Sequence, residues 1–273
     1  MRRVSKYCCK ESHGCYLTLG TFLLNAENAL LLQRQRSLAY SGLIHGTRKG
    51  SLGDIHSWRS MVLITSCASN GRRDPQQTSH DGDVLMNYLR ETDLMLPLAS
   101  VNYRLSPIVR HPTHREDVIS AINFLKVMHG MTEFVLVGHS AGGCLAFQCA
   151  HLDGCKGVLS AEGIYDLEEL VKEYPEYQGF VVEAFGEDRA VWRKASPTNL
   201  VETLPASLSV LLVQSTEDEL LSGRQTELMD TILRQTSVEL RKTVWINGGH
   251  DEAIRTKEFC SVVYNFVTQI LKS

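Results

Sequence analysis

The amino-acid sequence predicts an α/β fold, a mostly parallel sheet with helices on both faces, and three observations carry that expectation. The chain has 273 residues with 43% apolar content, enough for one large domain with a sizeable core. From residue 98 onward apolar runs of strand length alternate with amphipathic stretches of helical length. That alternation implies parallel strands joined by right-handed crossovers. No repeat or low-complexity tract interrupts it.

Residues 98–103 read as a strand, and residues 115–129 as a helix with Val118, Ile119, Ile122, Leu125 and Val127 on its apolar stripe. An apolar run, Phe134-Val135-Leu136-Val137, comes next, then a helical stretch over Cys144-Leu145-Ala146-Phe147-Gln148-Cys149-Ala150. Residues 157–161 and 207–214 are further strands, residues 222–235 a helix, residues 237–246 an alternating final strand, and residues 256–271 a closing helix. Between Gly163 and Gly186 lies a small, mostly helical insertion on the carboxyl side of a strand, where the binding loops of open α/β sheets gather.

Net charge is −3, which gives no sign of nucleic acid or an anionic membrane as partner. The eight cysteines and ten histidines show neither a disulfide framework nor a paired metal signature. No metal is expected, and a reducing, cytoplasmic setting fits. Residues 17–32 are the one candidate targeting or membrane segment. Asn25, Glu27 and Asn28 interrupt them, and the stretch is too short to span a bilayer.

The chemistry concentrates at Gly138-His139-Ser140-Ala141-Gly142. A Gly-x-Ser-x-Gly turn between an apolar strand and a helix is what a nucleophile elbow requires. The turn lifts the Ser140 hydroxyl above the sheet edge, and the new helix offers the Ala141 amide to an oxyanion. A plain strand–turn–helix corner is the bland alternative. No Gly-Lys-Ser/Thr follows, so the turn is not a phosphate loop.

A serine hydroxyl needs a histidine to take its proton and an acid to fix that histidine's tautomer. In this arrangement the acid and base follow the serine in that order, on loops after late strands. One late strand runs into Ser215-Thr216-Glu217-Asp218-Glu219, the last into Asn247-Gly248-Gly249-His250-Asp251. Asp218 and His250 are therefore the expected acid and base, with Glu217 and Glu219 as rival carboxylates. His139 adjoins Ser140 but should point away from it. His111 and His114 form a His-x-x-His spacing with no acidic or cysteine partner nearby, a poor metal site.

Longer segments carry a resemblance. Asn102-Tyr103-Arg104-Leu105-Ser106-Pro107 resembles a segment of esterases related to hormone-sensitive lipase. Gly163-Ile164-Tyr165-Asp166-Leu167, Glu173-Tyr174-Pro175-Glu176-Tyr177, and Asp218-Glu219-Leu220-Leu221 with Arg224-Gln225-Thr226 are narrower. Together, over residues 73–270, the chain resembles fungal kynurenine formamidases of the α/β-hydrolase fold. The resemblance implies a Ser140, Asp218 and His250 triad, no cofactor, and hydrolysis of N-formyl-L-kynurenine to L-kynurenine and formate in tryptophan degradation. It also implies a homodimer. Tyr165 and Tyr174 are candidates for an aryl pocket, with ordinary packing as the alternative. A small-acyl carboxylesterase and a non-catalytic hydrolase-like protein are the competing readings.

The family's His-Gly-Gly-x-Trp motif, whose backbone amides complete the oxyanion hole, is missing. His45-Gly46 is followed by Thr47. Back-translation supplies an explanation. Ile55-His56-Ser57-Trp58-Arg59-Ser60-Met61-Val62 can be encoded so that reading one nucleotide later gives Tyr-Ile-His-Gly-Gly-Ala-Trp. Trp58 before any arginine codon forces the first glycine, and Met61 before valine forces the tryptophan. A GT in the Val62 codon and an AG in that of Arg72 could bound an unspliced interval. Residues 73–273 are thus the family-like part of a single domain over 1–273, and residues 1–72 are doubtful, 51–72 most of all. With its early strand gone, the chain is expected to fold poorly and leave a neighbouring strand exposed.

Overall fold

A computed structural model describes residues 59–66, 84–85, 87–88, 97–101 and 103–271, with the backbone alone of 21–22 and 42–45. The interrupted segment at residues 17–32 lies almost wholly outside the described residues, as does the stretch following residue 66. Among the described residues, eight strands are ordered β1 (Thr21–Phe22), β2 (Gly42–His45), β4 (Leu98–Ser100), β3 (Ser60–Ser66), β5 (Glu133–His139), β6 (Cys155–Ala161), β7 (Ser209–Ser215) and β8 (Glu239–Ile246). The β1–β2 and β2–β4 pairs are antiparallel, and every pair from β4 to β8 is parallel. The predicted strands and helices from residue 98 onward all form, with ends shifted by a few residues.

The expectation of a vacant strand position is corrected. Ser60–Ser66 sits between β4 and β5, paired with β5 from Ser60↔Glu133 to Ser66↔His139 and with β4 from Val62↔Leu98 to Ile64↔Ser100. The physical reason lies in Met61-Val62-Leu63-Ile64-Thr65, an apolar, β-branched run suited to a strand covered on both faces. Met61 and Leu63 join the core on one face, and Val62 and Ile64 join that on the other.

The same alternation divides β5 and β7. Phe134, Leu136, Val210 and Leu212 pack on the first face with helices α1 (Thr113–His129), α2 (Ala141–Cys149) and α6 (Arg224–Leu233). Val135, Val137, Leu211 and Val213 pack on the second with α7 (Lys257–Leu271), through Phe259, Val263, Phe266 and Val267. The insertion after β6 supplies α3 (Leu167–Glu173), α4 (Gln178–Phe185) and α5 (Arg189–Ala195). A third apolar cluster, including Leu167, Leu170, Val181 and Trp192, ties it to Cys144 of α2 and Leu221 beyond β7. Among the described residues, no helix is long and apolar enough to cross a membrane.

The segment before α1 is fixed by charge. Arg104 donates through its backbone N–H (2.9 Å) and its Nε (3.0 Å) to Asp117 Oδ2, and through a terminal nitrogen to Oδ1 at 2.8 Å. Such a two-pronged guanidinium–carboxylate pair sets direction as well as distance.

Candidate active site

The chain leaves β3 for β4 on one side and returns to β5 on the other, so the loops diverge at the carboxyl ends of β3 and β5. Open α/β sheets bind ligands at such a switch point. Ser140 follows β5 there, with φ 56° and ψ −124°, a conformation that costs a non-glycine residue energy and persists only where the surroundings enforce it. They do. Ser140 N–H donates to Ala161 O at 3.0 Å, and its carbonyl accepts from Gly143 (3.0 Å) and Ile164 (3.3 Å). Thr65 of β3 donates its hydroxyl to Gly142 O at 3.0 Å, so the unexpected strand also braces the turn.

Gly138 is required by close approach. A Cβ there would stand 2.4 Å from Gly142 O and 2.7 Å from Gly143 N, both backbone atoms that yield only if α2 moves. Gly138→Ala is expected to cost roughly 1–3 kcal/mol and to lower turnover by displacing Ser140. A thermal melt beside a kinetic assay checks this, and unchanged values in both would refute it.

Asp218 and His250 come together across the ends of β7 and β8. Asp218 Oδ2 accepts from His250 Nδ1 at 2.9 Å and from Gln214 Nε2 at 3.1 Å. Its Oδ1 accepts from the amides of Leu220 (2.9 Å) and Leu221 (2.8 Å). Thr226 donates to Gln214 Oε1 at 2.8 Å, turning the Gln214 amide so that its nitrogen faces the acid. Burial pushes the Asp218 carboxyl up, but the His250 hydrogen bond and charge and the two amides outweigh it, leaving the pKa lowered. Burial pushes His250 down, and Asp218 outweighs that in turn, leaving the pKa raised.

The rival carboxylates bind loop amides instead. Glu217 accepts from Gly248 N at 3.0 Å, and Glu219 from His250 N at 2.9 Å. His139 has a different place. Its Nε2 lies 3.1 Å from Glu162 Oε2 and 3.1 Å from the His250 carbonyl oxygen, and its ring centroid is 4.6 Å from that of His250. A carbonyl can only accept, so His139 carries a proton on Nε2. The residue next to Ser140 thereby holds His250 against the elbow. Among the described residues, His139, Glu162 and His250 are the one group of three metal-capable side chains with ligand atoms within 4.8 Å of one another. His114 of the His-x-x-His pair lies 3.1 Å from Ser106 Oγ, and His111 packs on Phe185.

Sequence reasoning missed Glu162, Gln214 and Thr226. The available signal was an acid placed directly after the buried run Val158-Leu159-Ser160-Ala161. Glu162 is fully buried at φ 48°. Burial first, then Asp218, Asp251 and Glu219 against the opposing His250, push its pKa up to about 8. The folded protein therefore keeps a proton that the unfolded chain loses near the ordinary carboxylate value, and stability falls as pH rises from about 4.5 to about 8. At roughly 1.4 kcal/mol per unit the loss is on the order of 5 kcal/mol. Glu162→Gln should flatten this fall in denaturant midpoints measured from pH 5 to 8.5. Parallel profiles for variant and parent would show that Glu162 does not cause it.

Tyr165 is corrected as a pocket residue. It is fully buried, its hydroxyl donates to Ser160 Oγ at 2.9 Å, and its ring meets Phe147 edge-on at 5.8 Å. It has no surface to offer a ligand because the Gln225 side chain pins its backbone into the core, accepting from Tyr165 N at 2.8 Å. Tyr174 is half-buried and stacks on Tyr177 at 5.1 Å. The Tyr174 hydroxyl accepts from Ser222 N (2.9 Å), and that of Tyr177 donates to Leu220 O (3.0 Å), so this aromatic pair lies against the loop that carries Asp218.

A serine at positive φ between a parallel strand and a helix, on a sheet of this order, defines an α/β hydrolase. A family model for the alpha/beta hydrolase fold matches residues 81–252. Esterase B from Lactobacillus rhamnosis has the same fold, with a TM-score of 0.67 at 12% identity over 90% of this chain and 93% of that one. Relatives in sequence narrow the class. The kynurenine formamidase of Meyerozyma guilliermondii is 37% identical over 206 residues, spanning 70% of this chain and 78% of that protein. The kynurenine formamidase of Eremothecium gossypii is 30% identical over 191 residues, spanning 61% and 78%. The chain belongs to the kynurenine formamidase family.

Proposed function

We propose that this chain hydrolyses the formamide of N-formyl-L-kynurenine, giving L-kynurenine and formate, with Ser140 as nucleophile, His250 as base and Asp218 as its orienting acid. The observation that carries the chemistry is the buried Asp218–His250 pair at 2.9 Å, held against the elbow through His139. Membership of the kynurenine formamidase family supports the substrate.

Asp218 accepts from Nδ1 of His250, which leaves Nε2 free to take a proton. His250 removes the Ser140 proton as Oγ attacks the formyl carbon, and the oxyanion forms opposite the Ala141 amide at the start of α2. The carbon–nitrogen bond then breaks, and His250 delivers its proton to the departing arylamine. Water, deprotonated by His250, attacks the formyl-serine ester and releases formate. The base must be neutral, so kcat/KM falls as pH drops through the His250 pKa, which lies above its ordinary value.

The test compares turnover of N-formyl-L-kynurenine with that of a nitrophenyl acyl ester, using Ser140→Ala as control. Preference for the formamide supports the reading, and preference for the ester turns it toward a carboxylesterase. No Ser140-dependent turnover of either would favour a non-catalytic protein.

Within this reading the protein is a cytoplasmic homodimer. Four cysteines, Cys144, Cys149, Cys155 and Cys260, are free among the described residues, which is consistent with a reducing compartment. Burial pushes the first three thiols up to about 12. Residues 51–72 are proposed to arise from a shifted frame or an unspliced interval in place of the family's His-Gly-Gly-x-Trp segment. A transcript matching the present frame throughout would exclude this.

A further inference from the structure

A cleft of about 380 Å³ lies against the carboxyl half of α2, and neither Ser140, Asp218 nor His250 lines it. Its polar lining is His111, Arg115, Gln148, His151, Lys194 and Thr203, whose hydroxyl donates to Leu200 O, with Leu200 and Leu204 among its apolar wall. Among the described residues, no acidic side chain lines it. The rim residues His151 and Lys194 are exposed, whereas Gln148 is 3% exposed.

Three buried polar atoms along this cleft have no hydrogen-bond partner among the described residues: His111 Nδ1, Arg115 Nε and Gln148 Oε1. Buried polar atoms are seldom left so, and several along one cleft mark it as a place suited to a polar ligand. The orientation of Gln148 is fixed. Its Nε2 donates to Ala195 O at 2.8 Å, an atom that can only accept, so Oε1 is the free end. The cleft thus offers cationic donors, from Arg115 and Lys194, beside one acceptor that demands a donor in return.

We infer that this cleft binds a small organic acid bearing a donor next to its carboxylate, an α-amino or α-hydroxy acid, whose side chain rests on Leu200 and Leu204. A simple carboxylate or a fully ionised phosphate would satisfy Arg115 and Lys194 but set an acceptor against Gln148 Oε1. An ammonium or hydroxyl on the neighbouring carbon satisfies all three. Its volume is within the range of small-molecule sites. His111, held down to about 4 by burial with His114 and Arg115 adding to it, is neutral at pH 7, and an anion alongside would favour proton uptake there.

The test is calorimetric binding to the full chain of four probes: L-phenylalanine, its 2-hydroxy analogue phenyllactate, 3-phenylpropionate, and inorganic phosphate. The first two are expected to bind at least about tenfold tighter than the last two. Gln148→Leu should abolish that preference, and Lys194→Met should weaken all four. Because the catalytic site could also hold an amino acid, the same variants are assayed on a nitrophenyl ester, whose hydrolysis should be unchanged. No saturable binding, equal binding of all four probes, or binding untouched by both substitutions would overturn the inference.

Discussion

Replacing Ser140 with alanine is expected to lower formamide turnover by about 10⁴–10⁶-fold while leaving the fold intact. A triad acts as a unit, so losing the nucleophile costs nearly as much as losing the whole relay. The substitution removes a single oxygen from a residue 9% exposed, and the backbone bonds that hold the elbow, Ser140 N–H to Ala161 and the Ser140 carbonyl to Gly143 and Ile164, all remain. Asp218→Asn should cost on the order of 10⁴-fold. An amide whose oxygen is held by the Leu220 and Leu221 amides would turn its nitrogen toward His250 and impose the wrong imidazole tautomer. Single-turnover kinetics on folded variants measures both. Retention of more than a few per cent of activity by Ser140→Ala would remove the serine from the mechanism.

A chain carrying His-Gly-Gly-Ala-Trp, read from the shifted frame over Ile55 to Val62 and joined at Arg73, is expected to turn over the formamide about 10²–10³ times faster than the chain as written. One oxyanion donor is typically worth that much, roughly 2.7–4 kcal/mol of barrier. The Ala141 amide stands at the start of α2, and the second set of donors belongs directly after the strand that precedes β4. In this chain that strand is β3, Ser60–Ser66, and no Gly-Gly pair follows it. Because β3 fills its slot between β4 and β5, the expected difference is in kcat and not in the yield of folded protein. Equal kcat for the two purified forms would refute the proposal.

Much of the architecture was legible because its signals are local. The alternation of apolar runs and amphipathic stretches after residue 98 follows from periods of the strand and helix themselves, and the Gly-x-Ser-x-Gly turn is a contiguous motif. The strand Ser60–Ser66 was not legible, because residues 51–72 read as foreign and a short apolar run carries no label of its place. Only pairing with β5 along its whole length, and the Thr65 bond to Gly142, gives it one.

Sequence alone determined the arrangement on which the proposed chemistry rests: an elbow serine, then an acid and a histidine, each on the loop after its own strand. The sequence favoured Asp218 over Glu217 and Glu219, and three-dimensional packing supplies the physical reason. Adjacent residues on one loop differ only in which way they point, and the loop turns Asp218 toward His250 while its neighbours cap amides. The same holds for Tyr165 and for Glu162. Burial sums contacts from strands and helices far apart in the chain, so only the folded structure makes one tyrosine core and lifts one carboxyl up to about 8.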